Sequence, residues 1–179
     1  HISDFHAGSF DDPAEVERGL QLVQELQADA VLFTGDMVNN LSDEAEQYID
    51  MFSKVSAKYG KFSVLGNHDY GDYYPHDTDD LQQQDVDQLN DFQSRMGFKV
   101  LLDETITFEK EQEKIHIVGV QNWGTGRFPK KGDLQKASAQ TGDHDFKILM
   151  SHDPSHWEAE VLKDQKKFQL TLSGHTHGF

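Results

Sequence analysis

Cysteine is absent from the 179 residues, so the chain can form neither a disulfide nor a zinc site built on thiolates. Any bound metal must therefore be held by histidine, by carboxylate or amide side chains, or by backbone oxygen. Such ligands suit divalent or trivalent first-row metals rather than metals that prefer sulfur.

Basic residues are scarce: 16 lysines and arginines stand against 32 aspartates and glutamates, which gives a net charge of −16. Nucleic-acid binding relies on basic patches that neutralise phosphates, so this balance disfavours a nucleic-acid partner. An anionic substrate would need a local source of positive charge, and bound metal ions would provide it.

Long apolar runs are missing as well. No stretch approaches the roughly 18 apolar residues of a membrane span, and no signal-peptide pattern is visible. The length and a hydrophobic content of 36% suit one domain with a core. We therefore expect residues 1–179 to form one soluble domain, cytoplasmic or peripheral to a membrane. Both ends are abrupt, so we expect truncation at each end, with membrane attachment through flanking sequence left open.

The first half of the sequence alternates between strand and helix patterns. Apolar residues at helical spacing predict three helices, over residues 13–27, 42–60 and 85–96. Short apolar runs predict strands that end at Ser3, Phe33 and Leu65. Polar residues follow each strand, and open α/β sheets bind ligands at this carboxyl edge.

The second half has strands at the short spacing typical of antiparallel pairing. They are predicted at residues 100–102, 105–108, 115–120, 146–150 and 168–172. A polar segment at residues 110–114 predicts a hairpin turn, and residues 121–132 predict a glycine-rich loop.

Side chains able to bind metal follow five of the predicted strands. They are Asp4, His6, Asp36, Asn67, His68, His152, His175 and His177. A single Asp-x-His or His-x-His is more often an ordinary polar loop, but five such strand ends in one chain are hard to obtain by chance. The set is about right for two ions that share one carboxylate, with Asp36 as the natural bridge. Two ions about 3.5–4 Å apart can clamp an in-line displacement at phosphorus.

Four other histidines do not share this placement after a strand. They are His76, His116, His144 and His156, and we expect them to have surface or local roles.

The five strand ends, taken together, resemble the motifs of the calcineurin-like metallophosphoesterase superfamily. The matching motifs are Asp-x-His at residues 4–6, Gly-Asp at 35–36, Gly-Asn-His-Asp at 66–69, His152, and Gly-His-x-His at 174–177. They occur in the family's order and at its typical spacing over nearly the whole chain. The opening Ser-Asp-x-His is similar to the bacterial phosphodiesterase branch, some members of which act on lipid-linked substrates.

The resemblance implies a fold, a metal centre and a set of residue roles. The fold is a four-layer α/β/β/α sandwich of two mixed β-sheets, with a dinuclear site at the strand carboxyl ends. One ion would take Asp4, His6, Asp36 and His177, and the other would take Asp36, Asn67, His152 and His175. The ions would be Mn, Fe, Zn or Mg. His68 would face the leaving group without binding metal, and Asp69 would orient it.

These expectations describe a metal-dependent phosphoester hydrolase, more specifically a phosphodiesterase. Water activated by two ions would attack phosphorus in line, and His68 would protonate the departing oxygen. Tyr70, Asn122 and Arg127 lie in loops expected to contact a small phosphorylated substrate, either lipid-linked or nucleotide-derived. The alternative that these loop residues pack on one another is equally favoured.

Two other functions remain as alternatives. One is a metal-binding interaction scaffold of the same fold that has lost catalysis. Such relatives typically lack the leaving-group histidine, so the presence of His68 favours the enzyme. The other is a nuclease, which the net charge of −16 disfavours.

Overall fold

Two β-sheets organise the computed structural model, which describes residues 1–111, 113–128 and 130–177. The first sheet holds β1 (Val31–Phe33), β2 (Lys61–Ser63) and β3 (Phe98–Val100) in that order, and each pairing is parallel. Ile2 adds one parallel bridge beside Phe33. Parallel neighbours require crossover connections, and helices supply them here.

The second sheet mixes the two directions of pairing. It holds β4 (Glu104–Lys110), β5 (Glu113–Gly119), β6 (Phe146–Met150) and β7 (Leu170–Leu172) in that order. β4 and β5 pair antiparallel as the predicted hairpin, while the other two pairings are parallel. Gln112 of the predicted turn and Pro129 of the predicted glycine-rich loop lie outside the described residues.

In the part of the chain that the structure describes, six α-helices connect and cover the strands. They are α1 (Pro13–Glu25), α2 (Asp43–Glu46), α3 (Ile49–Ser53), α4 (Asp79–Arg95), α5 (Leu134–Ala137) and α6 (Ser155–Ala159). Asp12 caps α1 by accepting from the Ala14 amide at 2.9 Å, which satisfies one of the free N–H groups at the helix start. None of the helices within the described ranges is long and apolar enough to cross a membrane.

Apolar side chains fill the spaces between the layers. Leu32 and Phe62 of the first sheet meet Ile117 and Met150 of the second, which forms the core between the sheets. A larger cluster packs α1, α3 and α4 on the outer face of the first sheet, and a smaller one packs α5 on the outer face of the second. The fold is therefore α/β, with two sheets flanked by helices.

The third strand differs from its prediction in place and in partner. The sequence pattern puts a strand at residues 100–102 among the antiparallel strands, but β3 ends at Val100 and completes the first sheet. β3 follows α4, and the helical crossover makes it parallel to β2. The expectation of two mixed sheets is therefore wrong for the first sheet, which is parallel throughout its described strands.

Two helices also differ from their predicted extents. The helix predicted over residues 42–60 is two short helices, α2 and α3, because the chain turns at residues 47–48. α4 begins at Asp79, before the predicted start near residue 85. Thr78 explains this earlier start, because its side chain accepts from the Leu81 amide and so provides an N-cap.

Candidate metal centre

The loops that follow β1, β2, β6 and β7 meet at one edge of the two sheets. The Nδ1 atom of His152, after β6, lies 2.7 Å from the carbonyl oxygen of Thr34, after β1. The amide of Gly174, after β7, donates to the carbonyl of His152 at 2.9 Å, and the amide of Asp4 donates to Gly35 at 3.0 Å. Both sheets therefore contribute side chains to the same place.

Unusual backbone conformations are concentrated in these loops. Eight non-glycine residues in the described part of the chain have positive φ angles, and five of them are candidate ligands. Those five are Asp4, His6, Asp36, His175 and His177. Left-handed backbone is strained for most side chains and clusters at functional sites, where surrounding structure enforces it. The fold holds these five residues in conformations that the sequence alone would disfavour.

Two glycines allow the loops to approach the carboxylates closely. A Cβ added at Gly66 would lie 2.3 Å from Oδ1 of Asp36, and one added at Gly174 would lie 2.2 Å from Oδ2 of Asp4. A side chain at either position would displace a carboxylate or the backbone. The glycines in the two motifs thus have a steric role at the site.

The first group of candidate ligands is Asp4, His6 and His177, whose ligand atoms lie within 4.8 Å of one another. The Nε2 atoms of His6 and His177 are 3.2 Å apart, and Nε2 of His177 is 3.5 Å from Oδ1 of Asp4. The Nε2 atom of His6 also lies 3.6 Å from Oδ2 of Asp36. The four residues expected at one ion are therefore brought together.

The second group of candidate ligands is Asp36, His152 and His175, and Asn67 reaches it as well. The Nε2 atom of His152 lies 3.0 Å from Oδ2 of Asp36. The Oδ1 atom of Asn67 lies 3.1 Å from Nε2 of His152 and 2.8 Å from Nδ1 of His175. These are the four residues expected at the other ion.

Asp36 joins the two groups through a single oxygen atom. Its Oδ2 faces His6 on one side and His152 on the other, while its Oδ1 accepts from the amide of His68 at 2.9 Å. Burial raises the pKa of Asp36, but His152 and the amide and charge of His68 outweigh this effect, so the net pKa lies below its usual value. The carboxyl is held charged, with one oxygen shared between the groups.

The hydrogen bond of His152 fixes which of its nitrogens can bind a metal. A carbonyl oxygen only accepts, so the contact with Thr34 requires a proton on Nδ1, and in the neutral ring the lone pair is then on Nε2. Burial lowers the pKa of His152, but the hydrogen bond and charge of Asp36 outweigh burial, so the net pKa is raised and a metal would have to displace a proton from Nε2. Metal-binding histidines commonly donate their other N–H to such a carbonyl. Burial, as the largest effect, lowers the pKa values of His6 and His175, which favours the neutral form that a metal requires.

The convergence of acceptor atoms shows that the donor set fits metal ions. The Nε2 atom of His152 lies 3.0 Å from Oδ2 of Asp36 and 3.1 Å from Oδ1 of Asn67. Lone pairs at such separations repel one another unless a proton or a cation lies between them. Nitrogen and oxygen ligands without sulfur suit Mn, Fe, Zn and related ions. The donor chemistry of the two groups is therefore compatible with bound cations.

His68 lies against the first group of ligands. Its ring centroid is 4.8 Å from that of His6 in an edge-to-face arrangement, and one of its ring nitrogens lies within 4.8 Å of ligand atoms of His6 and Asp36. The Nδ1 atom lies 2.6 Å from the backbone carbonyl oxygen of Asn39, so this nitrogen carries a proton. Nε2 is the nitrogen that remains available for chemistry.

The role expected for Asp69 differs from its contacts. Its carboxylate accepts from the backbone amides of Asp36, Met37 and Gly66 at 2.8, 2.7 and 2.9 Å, and the ring of His68 is held by Asn39 instead. Burial, with the charge of Asp36, raises the pKa of Asp69 to about 7. Asp69 thus joins the loop after β1 to the loop after β2, which is a correction to the expectation that it orients His68.

Two of the three expected substrate contacts lie in the interior. Tyr70 and Asn122 are buried, and the hydroxyl of Tyr70 donates to Oε1 of Gln121 at 3.3 Å. Arg127 is exposed, in the loop whose Phe128 ring lies 4.7 Å from the ring of His175. Loop packing therefore accounts for Tyr70 and Asn122, while Arg127 remains accessible.

Two histidines outside the site are buried, so an assignment to the surface would be wrong for them. His156 stacks on Trp123 with ring centroids 4.6 Å apart, and its Nδ1 lies 2.8 Å from Oγ of Ser151. His116 contacts Asp145 with Nε2 and Oδ2 2.9 Å apart. Both roles are local, as the sequence left open.

Residues that the sequence motifs did not indicate also touch the site. Asn39 contributes only its main-chain carbonyl, which leaves no signature in a sequence. The hydroxyl of Tyr73 accepts a hydrogen bond from the side-chain amide of Asn67, and its ring packs on the ring of His68. Its place in a tyrosine-rich loop directly after the central motif was the one available signal.

Comparison with protein families and curated proteins gives consistent results. The family profile described as Calcineurin-like phosphoesterase matches residues 1–179. The metallophosphoesterases YkoQ and YkuE of Bacillus subtilis are each 26% identical to this chain over 99% of it, and this chain spans 60% and 57% of their lengths. A Danio rerio protein named as a transmembrane protein with a metallophosphoesterase domain is 25% identical over 98% of this chain, which spans 39% of that protein.

Solved structures show the same fold. The phosphopantetheinyl hydrolase of Mycobacterium tuberculosis matches with a TM-score of 0.58 and 14% identity, over 98% of this chain and 81% of that one. The NAD nucleotidase of Haemophilus influenzae matches with a TM-score of 0.59 and 17% identity, over 99% of this chain and 42% of that one. At these identities the likeness is one of fold.

Proposed function

The chain belongs to the calcineurin-like phosphoesterase family, and on that premise we propose that it hydrolyses phosphoric esters at a centre of two metal ions. The observation that carries this proposal is the position of Oδ2 of Asp36, which lies between two groups of candidate ligands. A shared carboxylate oxygen is what a two-metal site requires.

The residues would divide between the two ions as the sequence motifs imply. Asp4, His6, Asp36 and His177 would hold one ion, and Asp36, Asn67, His152 and His175 would hold the other. When bound, the ions would supply a nucleophilic water at neutral pH and positive charge for the phosphoryl oxygens. That positive charge matters in a chain whose net charge is −16.

His68 would act on the leaving group. Its Nδ1 proton is held by the carbonyl of Asn39, so Nε2 is the nitrogen that would carry the second proton of the imidazolium form and give it to the departing oxygen, which returns the ring to its neutral form. Its position against His6 keeps it at the edge of the first group of ligands. Such a histidine would have no function in an interaction scaffold, so its placement favours the enzyme over that alternative.

A small phosphorylated substrate, and a phosphodiester in particular, fits the surroundings best. The two structures of the same fold are named for a phosphopantetheinyl group and for NAD, both small and phosphorylated. The loop beside His175 carries three cations, Arg127, Lys130 and Lys131, in a chain that is otherwise strongly acidic. These cations support contact with a second anionic group of the substrate.

The proposal is tested by removing metal with a chelator and restoring Mn²⁺, Mg²⁺ or Zn²⁺ separately. Hydrolysis of para-nitrophenyl phosphate, bis-para-nitrophenyl phosphate and nucleotide-sugar diesters is then measured. We expect activity to return with at least one metal and to be higher on the diesters. Metal binding without hydrolysis of any of these substrates would favour the scaffold.

The Asp36→Asn variant tests whether the shared Asp36 oxygen bridges two ions. An amide is a weaker ligand than a carboxylate and cannot bridge two ions in the same way, so we expect this variant to lose metal and activity together. Elemental analysis that finds two ions retained in Asp36→Asn would contradict the bridging assignment.

A further inference from the structure

Asn67 would bind metal only with its carbonyl oxygen turned toward the other ligands. In the structure, Oδ1 faces His152 and His175, and the Nδ2 group donates to the hydroxyl of Tyr73 at 2.9 Å. The Asn67 side chain is buried, so its NH₂ group depends on a nearby acceptor. If the amide were reversed, an N–H would point toward the ions and repel them.

The ring of Tyr73 lies against His68. The two ring centroids are 4.4 Å apart with an interplanar angle of 32°. The Asn39 carbonyl holds one end of the His68 ring, and the Tyr73 ring covers one of its faces. Together these contacts restrict the rotation of the imidazole.

The loop that carries Tyr73 is built to hold this position. Gly71 has a φ of 69°, which turns the chain after the short helix His68–Tyr70, and its carbonyl accepts from the Tyr74 amide at 3.1 Å. Gln82 of α4 donates to the carbonyl of Tyr70 at 2.8 Å and to Asp72 at 2.6 Å, so α4 anchors the loop. Tyr73 is therefore fixed over the site although the residue is 47% exposed.

We propose that Tyr73 is a positioning residue with two separable parts: its hydroxyl orients Asn67 for metal binding, and its ring orients His68 for proton transfer. The proposal rests on the proposed function, because it assigns Asn67 and His68 their roles in that reaction. It predicts that the hydroxyl affects metal affinity and that the ring affects the rate at saturating metal.

Two substitutions separate these parts. Tyr73→Phe removes the hydroxyl and keeps the ring, whereas Tyr73→Leu removes both. Tyr74 provides a matched control, because it is the next residue, is similarly exposed at 46%, and packs on His76 rather than on a proposed ligand. Tyr74→Phe and Tyr74→Leu should therefore behave as the unsubstituted protein does.

Metal affinity is the primary measurement. Mn²⁺ is titrated into metal-free protein by calorimetry, and kcat is then measured on bis-para-nitrophenyl phosphate at saturating Mn²⁺. We expect Tyr73→Phe to weaken binding of one ion by about 10–100-fold, the usual effect of losing a partner of a metal ligand. Its kcat at saturating metal should stay close to that of the unsubstituted protein. Tyr73→Leu should weaken metal binding similarly and also lower kcat at saturating metal.

The outcomes distinguish this proposal from the proposed function. If the unsubstituted protein binds two ions and hydrolyses the diester while Tyr73→Phe has unchanged metal affinity, the role of the Tyr73 hydroxyl is refuted and the phosphoesterase stands. Equal kcat values for Tyr73→Leu and Tyr73→Phe would refute the role of the ring. A protein that binds no Mn²⁺ before any substitution would refute the metal centre itself, and the role of Tyr73 with it.

Discussion

At the residue scale, neighbouring side chains of one short segment make different contacts and are placed for different roles. Asn67 turns its oxygen toward His152, His68 keeps a nitrogen free beside His6, and Asp69 turns away to bind backbone amides. In the proposed function, three successive residues of the segment thus serve metal binding, proton transfer and loop structure. A substitution at each position should accordingly have its own experimental signature.

The signature expected for His68→Ala is loss of rate without loss of metal. His68 lies outside the two sets of four ligands, and a positioned general acid contributes about 10²–10⁴-fold to rate. We expect kcat to fall within that range while elemental analysis still finds two ions per chain. His144→Ala, at an exposed histidine remote from the ligands, is the control and should keep full activity. Full activity in His68→Ala would remove His68 from the mechanism.

The sequence predicted which side chains would gather but not what holds them. The gathering of candidate ligands such as His152 and His175 could be predicted because they follow apolar runs, and parallel strands bring their carboxyl ends to one edge. The partner of His68 could not be predicted, because it is the main-chain carbonyl of Asn39. The contacts of Asp69 were missed for the same reason, since its partners are backbone amides.

At the element scale, Lys61 shows how a buried charge connects two helices to a strand. Lys61 lies in β2, is 7% exposed, and its Nζ donates to the carbonyl of Phe52 at 2.7 Å and to that of Met96 at 2.5 Å. These carbonyls belong to the ends of α3 and α4, where helices leave acceptors unpaired. One ammonium group therefore satisfies the ends of two helices.

This arrangement predicts a dependence of stability on pH. Burial lowers the pKa of Lys61 to about 8, whereas an unfolded lysine titrates near 10.4. Between these values the unfolded chain binds more protons than the folded chain, so the contribution of Lys61 to the free energy of unfolding rises with pH. Below pH 8 Lys61 is charged in both the folded and the unfolded chain, so the free energy of unfolding is reduced by the full cost of burying the charge.

The experiment compares the native chain with Lys61→Met by urea denaturation at pH 7.5 and pH 9.5. The stability of the native chain relative to the variant should increase by about 1–2 kcal/mol over this interval. This is less than the full pKa shift implies, because pH 9.5 lies below the pKa of the unfolded lysine. Lys54→Met, at an exposed lysine paired with Glu17, should show no such change. A relative stability that falls with pH would contradict the role of burial.

Helix and strand predictions failed where tertiary structure decides. The spacing of apolar residues continues across residues 47–48, so it did not reveal the turn between α2 and α3. The choice of sheet for β3 depends on the α4 crossover and cannot be read from three residues.

The early start of α4, in contrast, could have been predicted from the sequence, since Thr78 before two aspartates is a good N-cap signal.

At the scale of the whole molecule, the candidate metal centre joins the two sheets. Asp36 and Asn67 follow strands of the first sheet, and His152 and His175 follow strands of the second. The apolar layer between the sheets also joins them, through residues such as Phe62 and Ile117. Metal ions would therefore stabilise the sandwich as a whole, because a site made of both sheets does not exist in the unfolded chain.

Metal removal should consequently lower the melting temperature. A ligand that binds only the folded state at 100 times its Kd adds about 2.7 kcal/mol, which for a chain of this size corresponds to roughly 5–10 °C. We expect a decrease of this order when a chelator is added and its recovery when Mn²⁺ is restored, measured by calorimetry. In Asp36→Asn, the same additions should have little effect, because the shared ligand is lost. An equal response in Asp36→Asn and the native chain would mean that the stabilising ions bind elsewhere than between the two sheets.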